Sequence, residues 1–172
     1  MLRKILAGLF ISLFYVSAAH AGPQYIDSTG FAVSGYDVVS YFDLKQSAIG
    51  SVQASPLPGK ASISTEYNGA KFAFSSEENL KRFQANPAGF APAYDGHCAF
   101  GVAKGGKVPG NPKLWRIVDG KLYLNIKDTV VVQWEENIPG YIETAMVNWK
   151  SLADKSASKS KIPEFSSIAP LK

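Results

Sequence analysis

The chain has 172 residues, 46% of them hydrophobic and 19% charged, with a single cysteine, Cys98. This length fits one domain that buries roughly two thirds of its unfolded surface, and one cysteine excludes a disulfide within the chain. With Arg3 and Lys4 set aside, the 18 lysines and arginines fall to 16 against 14 acidic residues; the folded part is near neutral and lacks the basic stripe that nucleic-acid binding requires.

Arg3 and Lys4 precede an almost wholly apolar run from Ile5 to Ala18, and Ala19-His20-Ala21 places small residues around a cut before Gly22. These are the three regions of a secretory signal. A retained anchor needs about 20 apolar residues, and His20 and Pro23 close the run before that. Residues 1–21 are expected to be a signal peptide. The mature chain is then periplasmic or secreted, with no stable membrane insertion after cleavage. In such a compartment an unpaired cysteine is either buried or used.

Gly22 to Gly30 reads as an irregular segment, and in Phe31 to Phe42 the Asp37 side chain is placed to cap a short helix. Ser51 to Lys60 is a loop by its Pro56, Pro58 and Gly59. Ile63 to Tyr67 and Ala70 to Phe74 flank Asn68-Gly69, a primed-turn pair, and form a β-hairpin. Ser75 with Glu78 reads as a capping box that starts a helix over 76–85, which Asn86-Pro87 ends. Gly89 to Gly110 is a glycine- and proline-rich loop holding Tyr94-Asp95-Gly96-His97-Cys98. Trp115 to Val118 and Lys121 to Asn125 form a second hairpin around Asp119-Gly120. Asp128 is expected to cap a helix to about Asn137, and a last helix follows Pro139-Gly140 with Tyr141, Ile142, Ala145 and Trp149 at helical spacing. Residues 153–172 are rich in Lys, Ser, Ala and Pro and are expected to form a flexible tail. Beyond the two hairpins no internal repeat is visible. The expected fold is a small single α+β domain with two β-hairpins and several short helices.

Gly35-Tyr36-Asp37-Val38, the hairpin-helix unit from Tyr67 to Leu80, Tyr94 to Val102, Trp115 to Asn125 and Pro139 to Trp149 together resemble the exported, single-domain branch of the YHS-domain family. The resemblance makes 22–152 a YHS-like domain and implies heavy-metal handling, with copper foremost. Metal-binding relatives carry cysteines directly after the first hairpin and four residues on; this chain has Ser75 and Asn79 there.

A metal role therefore falls to His97 and Cys98. Imidazole and thiolate suit Cu(I) or Zn(II), but two ligands do not close a zinc site, so Cu(I) is the better match. Neighbours on a strand point apart, so joint ligation requires the Gly96 turn to re-aim one of them. The competing reading is a packed, inert Cys98. His97 and Asp95 are too close in sequence to Cys98 to build a nucleophile-base-orienter chain, and no Cys-x-x-Cys exists, so an enzyme is not expected. A third reading is a site for a small non-metal ligand or a protein partner, with Tyr36, Asp37 and Asp95 as its polar members; the aromatic residues are better explained as core. Glu77, Glu78, Glu135 and Glu136 read as caps and solvated charges.

Overall fold

A computed structural model describes residues 23–172, so the expected signal segment lies outside the described residues. The two primed turns form as their sequences require. Asn68 and Gly69 have φ of 49° and 72°, and Asp119 and Gly120 have 48° and 71°. Each closes an antiparallel hairpin: β1 (Lys60–Tyr67) with β2 (Ala70–Phe74), and β3 (Asn111–Val118) with β4 (Lys121–Asn125). Among the described residues six α-helices complete the α+β fold: α1 (Ser40–Asp43), α2 (Glu77–Ala85), α3 (Pro87–Phe90), α4 (Ala99–Ala103), α5 (Asp128–Glu135) and α6 (Ile138–Leu152). Among the described residues no helix is long and apolar enough to cross a membrane.

Several boundaries differ from the expectation for local reasons. Ser76, not Ser75, caps α2, accepting the Asn79 N–H at 3.2 Å. Asp128 is the first residue of α5, with Lys127 at the cap position and no side-chain cap. Pro139-Gly140 does not precede the last helix but lies in its first turn, where a proline loses no hydrogen bond; Asn137 caps that helix by accepting the Gly140 N–H.

The two hairpins are parts of an internal repeat that the sequence conceals. Three left-handed residues, Val33-Ser34-Gly35 (φ 50°, 52°, 80°) and Tyr94-Asp95-Gly96 (54°, 53°, 78°), open the halves. Tyr36 then pairs with Pro58, and His97 with Pro109. The Gly59 N–H donates to Gly35 O and the Gly110 N–H to Gly96 O, both at 3.0 Å. Both hairpins break register at the same place, between Lys60 and Ser64 and between Asn111 and Trp115. A Cβ on Gly59 would meet Ala73 and one on Gly110 would meet Leu124, each at 2.6 Å, so both positions require glycine. The helices after the hairpins end alike: Asn86 accepts the Gly89 N–H and Asn137 that of Gly140. From the strands onward, equivalent residues stand 51 apart in number.

Two clusters form the core, and the first draws on both halves. Tyr36, Tyr41, Phe72, Phe74, Phe83 and Trp115 centre the first; Tyr94, Tyr123, Trp134, Ala145 and Leu152 centre the second. A fully buried side chain of this size stabilises by about 1.5–3 kcal/mol. Of the aromatic residues expected to be core, Tyr36, Tyr41, Phe72, Phe74 and Tyr94 are buried, and Phe42, Tyr67, Phe90 and Phe100 are partly buried against the core.

The C-terminal segment departs from its expectation. Its composition is polar, yet Ile162 and Ala169 are buried and Phe165 packs on the first core. Leu171 pairs beside β1 in parallel, donating its N–H to Gly59 O at 2.7 Å and accepting the Ala61 N–H at 2.8 Å. Lys107 Nζ donates to the carbonyls of Ala153 and Lys155. A few apolar anchors and satisfied backbone groups thus hold an extended strap over the domain.

Candidate functional site

Cys98 follows the left-handed turn and stands at the cap of α4. Its Sγ accepts the Gly101 N–H at 3.3 Å and donates to Asn125 Oδ1 at 3.4 Å. The residue is fully buried, and burial raises the thiol pKa despite the N–H groups of Gly101, Ile126 and Phe100 that face it. A protonated, enclosed thiol is a poor nucleophile and a poor ligand.

The equivalent residue in the first half is Asp37. Its Oδ1 accepts the Val39 N–H at 2.9 Å, just ahead of α1. Its Oδ2 accepts the Ser75 N–H at 2.8 Å, the Ser75 hydroxyl at 2.6 Å and the Asn79 amide at 2.7 Å. Ser75 and Ile126 are equivalent positions, each the first residue after the second strand of its hairpin, and each presents its N–H to the cap residue. Cys98 therefore does in one half what a carboxylate does in the other: it ties a short helix to the end of a hairpin.

His97 is also enclosed, at 0% exposure. Nδ1 lies 2.8 Å from Tyr94 O and Nε2 accepts the Ser158 N–H at 3.1 Å, so the ring is a neutral Nδ1–H tautomer with both nitrogens committed. Burial is the main cause of a pKa lowered to about 4; the Tyr94 carbonyl opposes the shift and nearby Lys107 adds to it.

These contacts answer the expected metal centre. His97 presents no free nitrogen, Cys98 no exposed thiolate, and among the described residues no three His, Cys, Asp or Glu side chains gather to hold an ion. At Ser75 and Asn79, where the resemblance implies thiolates, the side chains donate to Asp37 instead. The residues present do not fit Cu(I).

The expected small-ligand residues are likewise committed to the fold. Tyr36 is 1% exposed in the first core, Asp37 is saturated by donors, and Asp95 accepts the Gln24 amide at 2.7 Å. None of the five predicted site residues lines either of two surface recesses. One recess lies between Tyr25 to Ser28 and the strap. The other lies between Gly50–Gln53, β3 and α5.

Glu135, expected to be solvated, belongs to the second recess. Its Oε1 pairs with Arg116 and its Oε2 accepts the Gly50 N–H at 2.7 Å, with only 5–6% of either charged side chain exposed. Arg116 also donates to the carbonyls of Ser47 and Ala48. Nothing in the sequence signals this recess, because its two sides are 69 to 85 residues apart along the chain.

Residues 51–94 match the family model described as the YHS domain. No curated protein and no solved structure matches the chain. The matched stretch runs from the loop before β1 through α3, so the resemblance read from the residues is borne out over the first repeat, which is similar to the YHS domain.

Proposed function

We propose that this chain is a non-catalytic binding module acting outside the cytoplasm, in which His97 and Cys98 are structural and the bound species is not a metal held by them. The observation that carries the reading is the equivalence of Cys98 and Asp37, two caps at matching places in the repeat. Metal handling through His97 and Cys98, which the resemblance implies, would require both to surrender every partner they have. The reading as non-catalytic is supported by the His97 nitrogens, which face Tyr94 O and the Ser158 N–H rather than the Cys98 thiol. A buried lone thiol also supports export, since it resists oxidation and cross-linking.

An anaerobic Cu(I) competition titration tests this. Wild type is expected to bind Cu(I) no tighter than Cys98→Ser. Uptake of one ion per chain, or one per two chains, that Cys98→Ser abolishes would establish the metal reading in its place.

A further inference from the structure

The two halves differ most in the link between the left-handed turn and the hairpin. Tyr36 and Pro58 are 22 positions apart, whereas their equivalents His97 and Pro109 are 12 apart. The extra length in the first half falls in the loop from Leu44 to Leu57, and that loop crosses to the second half. There it is fastened by Ala54 O to Trp115 Nε1 at 2.9 Å, by Gln46 Oε1 to the Ile117 N–H at 2.6 Å, and by the Arg116–Glu135 pair. An ordinary surface connection does not engage a buried ion pair. This one forms a fixed wall, and a preformed wall removes the ordering cost of binding.

The wall encloses a recess of about 240 Å³. Leu114, Trp115, Val131 and Val132 supply apolar surface, and Val52 and Val132, 87% and 61% exposed, stand at its mouth. An apolar cavity of about 150 Å³ suffices for benzene, so this space suits one or two fused rings. It is too small a patch for a stable protein interface, which buries about 800 Å² per partner.

Ser51, Gln53, Lys113 and Asp128 also line the recess, three of them exposed to solvent, so its buried polar groups are few. Arg116 is spent on Glu135, Ser47 and Ala48, and Asn125 Oδ1 already accepts from Cys98 and Phe100. Among the buried lining groups Trp134 is the exception. It lines the recess, is 1% exposed, and its indole N–H has no hydrogen-bond partner. Its equivalent in the first half is Phe83, equally buried and with nothing to satisfy. The second half has therefore gained a buried donor beside the recess, and such donors are rarely left unpaired.

We propose that the recess between Gly50–Gln53, β3 and α5 binds a small, flat, largely apolar molecule carrying one hydrogen-bond acceptor, which Trp134 Nε1 serves. This rests on the reading of the chain as a binding module and names its site and ligand class.

The test is a titration of the full mature chain with 2-naphthol, followed by the indole N–H resonances in an ¹⁵N correlation spectrum. Saturable one-to-one binding is expected to move the Trp134 signal and leave that of Trp149, outside the recess, in place. Val131→Phe fills the recess and should weaken binding about tenfold or more. Val52→Asp, at a fully solvated lip where folding is not at stake, should weaken it as well. No saturable change, a response at Trp149 instead, or equal affinity in wild type and Val52→Asp would overturn the proposal. Copper uptake that depends on Cys98 would sink the structural reading of that residue. A silent naphthol titration without copper uptake would sink the recess alone.

Discussion

The two repeats share a backbone and differ in what they put on it. The first places Tyr36, Asp37 and Phe83 where the second places His97, Cys98 and Trp134. By residue type the second set looks like chemistry and the first like architecture. The hydrogen bonds reverse that impression for His97 and Cys98, whose polar atoms are consumed by Tyr94, Ser158, Gly101 and Asn125. They do not reverse it for Trp134, whose donor remains over. A reactive residue type is a weaker guide than an unmet partner.

The largest effect should come from the first cap. Asp37→Ala leaves the N–H groups of Val39 and Ser75, the Ser75 hydroxyl and the Asn79 amide without their acceptor, a loss of about 3–5 kcal/mol in urea unfolding. Cys98→Ala removes weaker bonds and a smaller volume, and should cost about 2 kcal/mol. Equal losses would mean that the matching positions are not graded by the strength of their caps.

The pH dependence separates His97 from Tyr36. The folded pKa of His97, about 4, lies below the ordinary 6.5. The unfolded chain therefore binds more protons between those values, and stability rises with pH across this window. The contribution, up to about 3 kcal/mol, is complete above pH 6.5 and is lost as the pH falls toward 4. His97→Phe should flatten this part of the profile when urea midpoints are compared at pH 7, 5.5 and 4.5, with carboxylate effects common to both proteins. An unchanged slope in that variant would remove His97 from the account.

The turns provide a smaller and more symmetrical test. Gly69 and Gly120 have matching left-handed φ and open space around them, so backbone strain alone decides the outcome. Gly69→Val and Gly120→Val should each cost about 1–2 kcal/mol. Lys155→Ala should change stability by under about 0.5 kcal/mol, since Lys155 is exposed and only its backbone N–H and carbonyl are used. Thermal unfolding of the three variants checks all of this, and a tail variant as damaging as either turn variant would contradict it.

Both hairpins are legible because a primed turn is a local demand of two residues, and α2 is legible to within a residue because its stop at Asn86-Pro87 is local and the serines at its start offer two adjacent caps, of which Ser76 is the one used. The repeat is not, because its halves are 61 apart in number at the left-handed turns and 51 apart at the strands, and few residue types coincide. The strap was misjudged because Ile162, Phe165, Ala169 and Leu171 are too few to outweigh composition, yet each meets a specific partner surface. Donor type alone singles out His97 and Cys98; the Ser158 N–H that occupies His97 Nε2 comes from 61 residues away. The recess was illegible because one wall is a loop from the first repeat bound to charged residues of the second.

The claim that Cys98 is a sealed cap rather than a ligand or nucleophile is tested most directly by thiol titration of the mature chain with an aromatic disulfide reagent at pH 8. The native protein is expected to release no thiolate chromophore over hours, and one equivalent per chain promptly once unfolded in guanidinium chloride. Rapid release of one equivalent by the native chain would contradict the account.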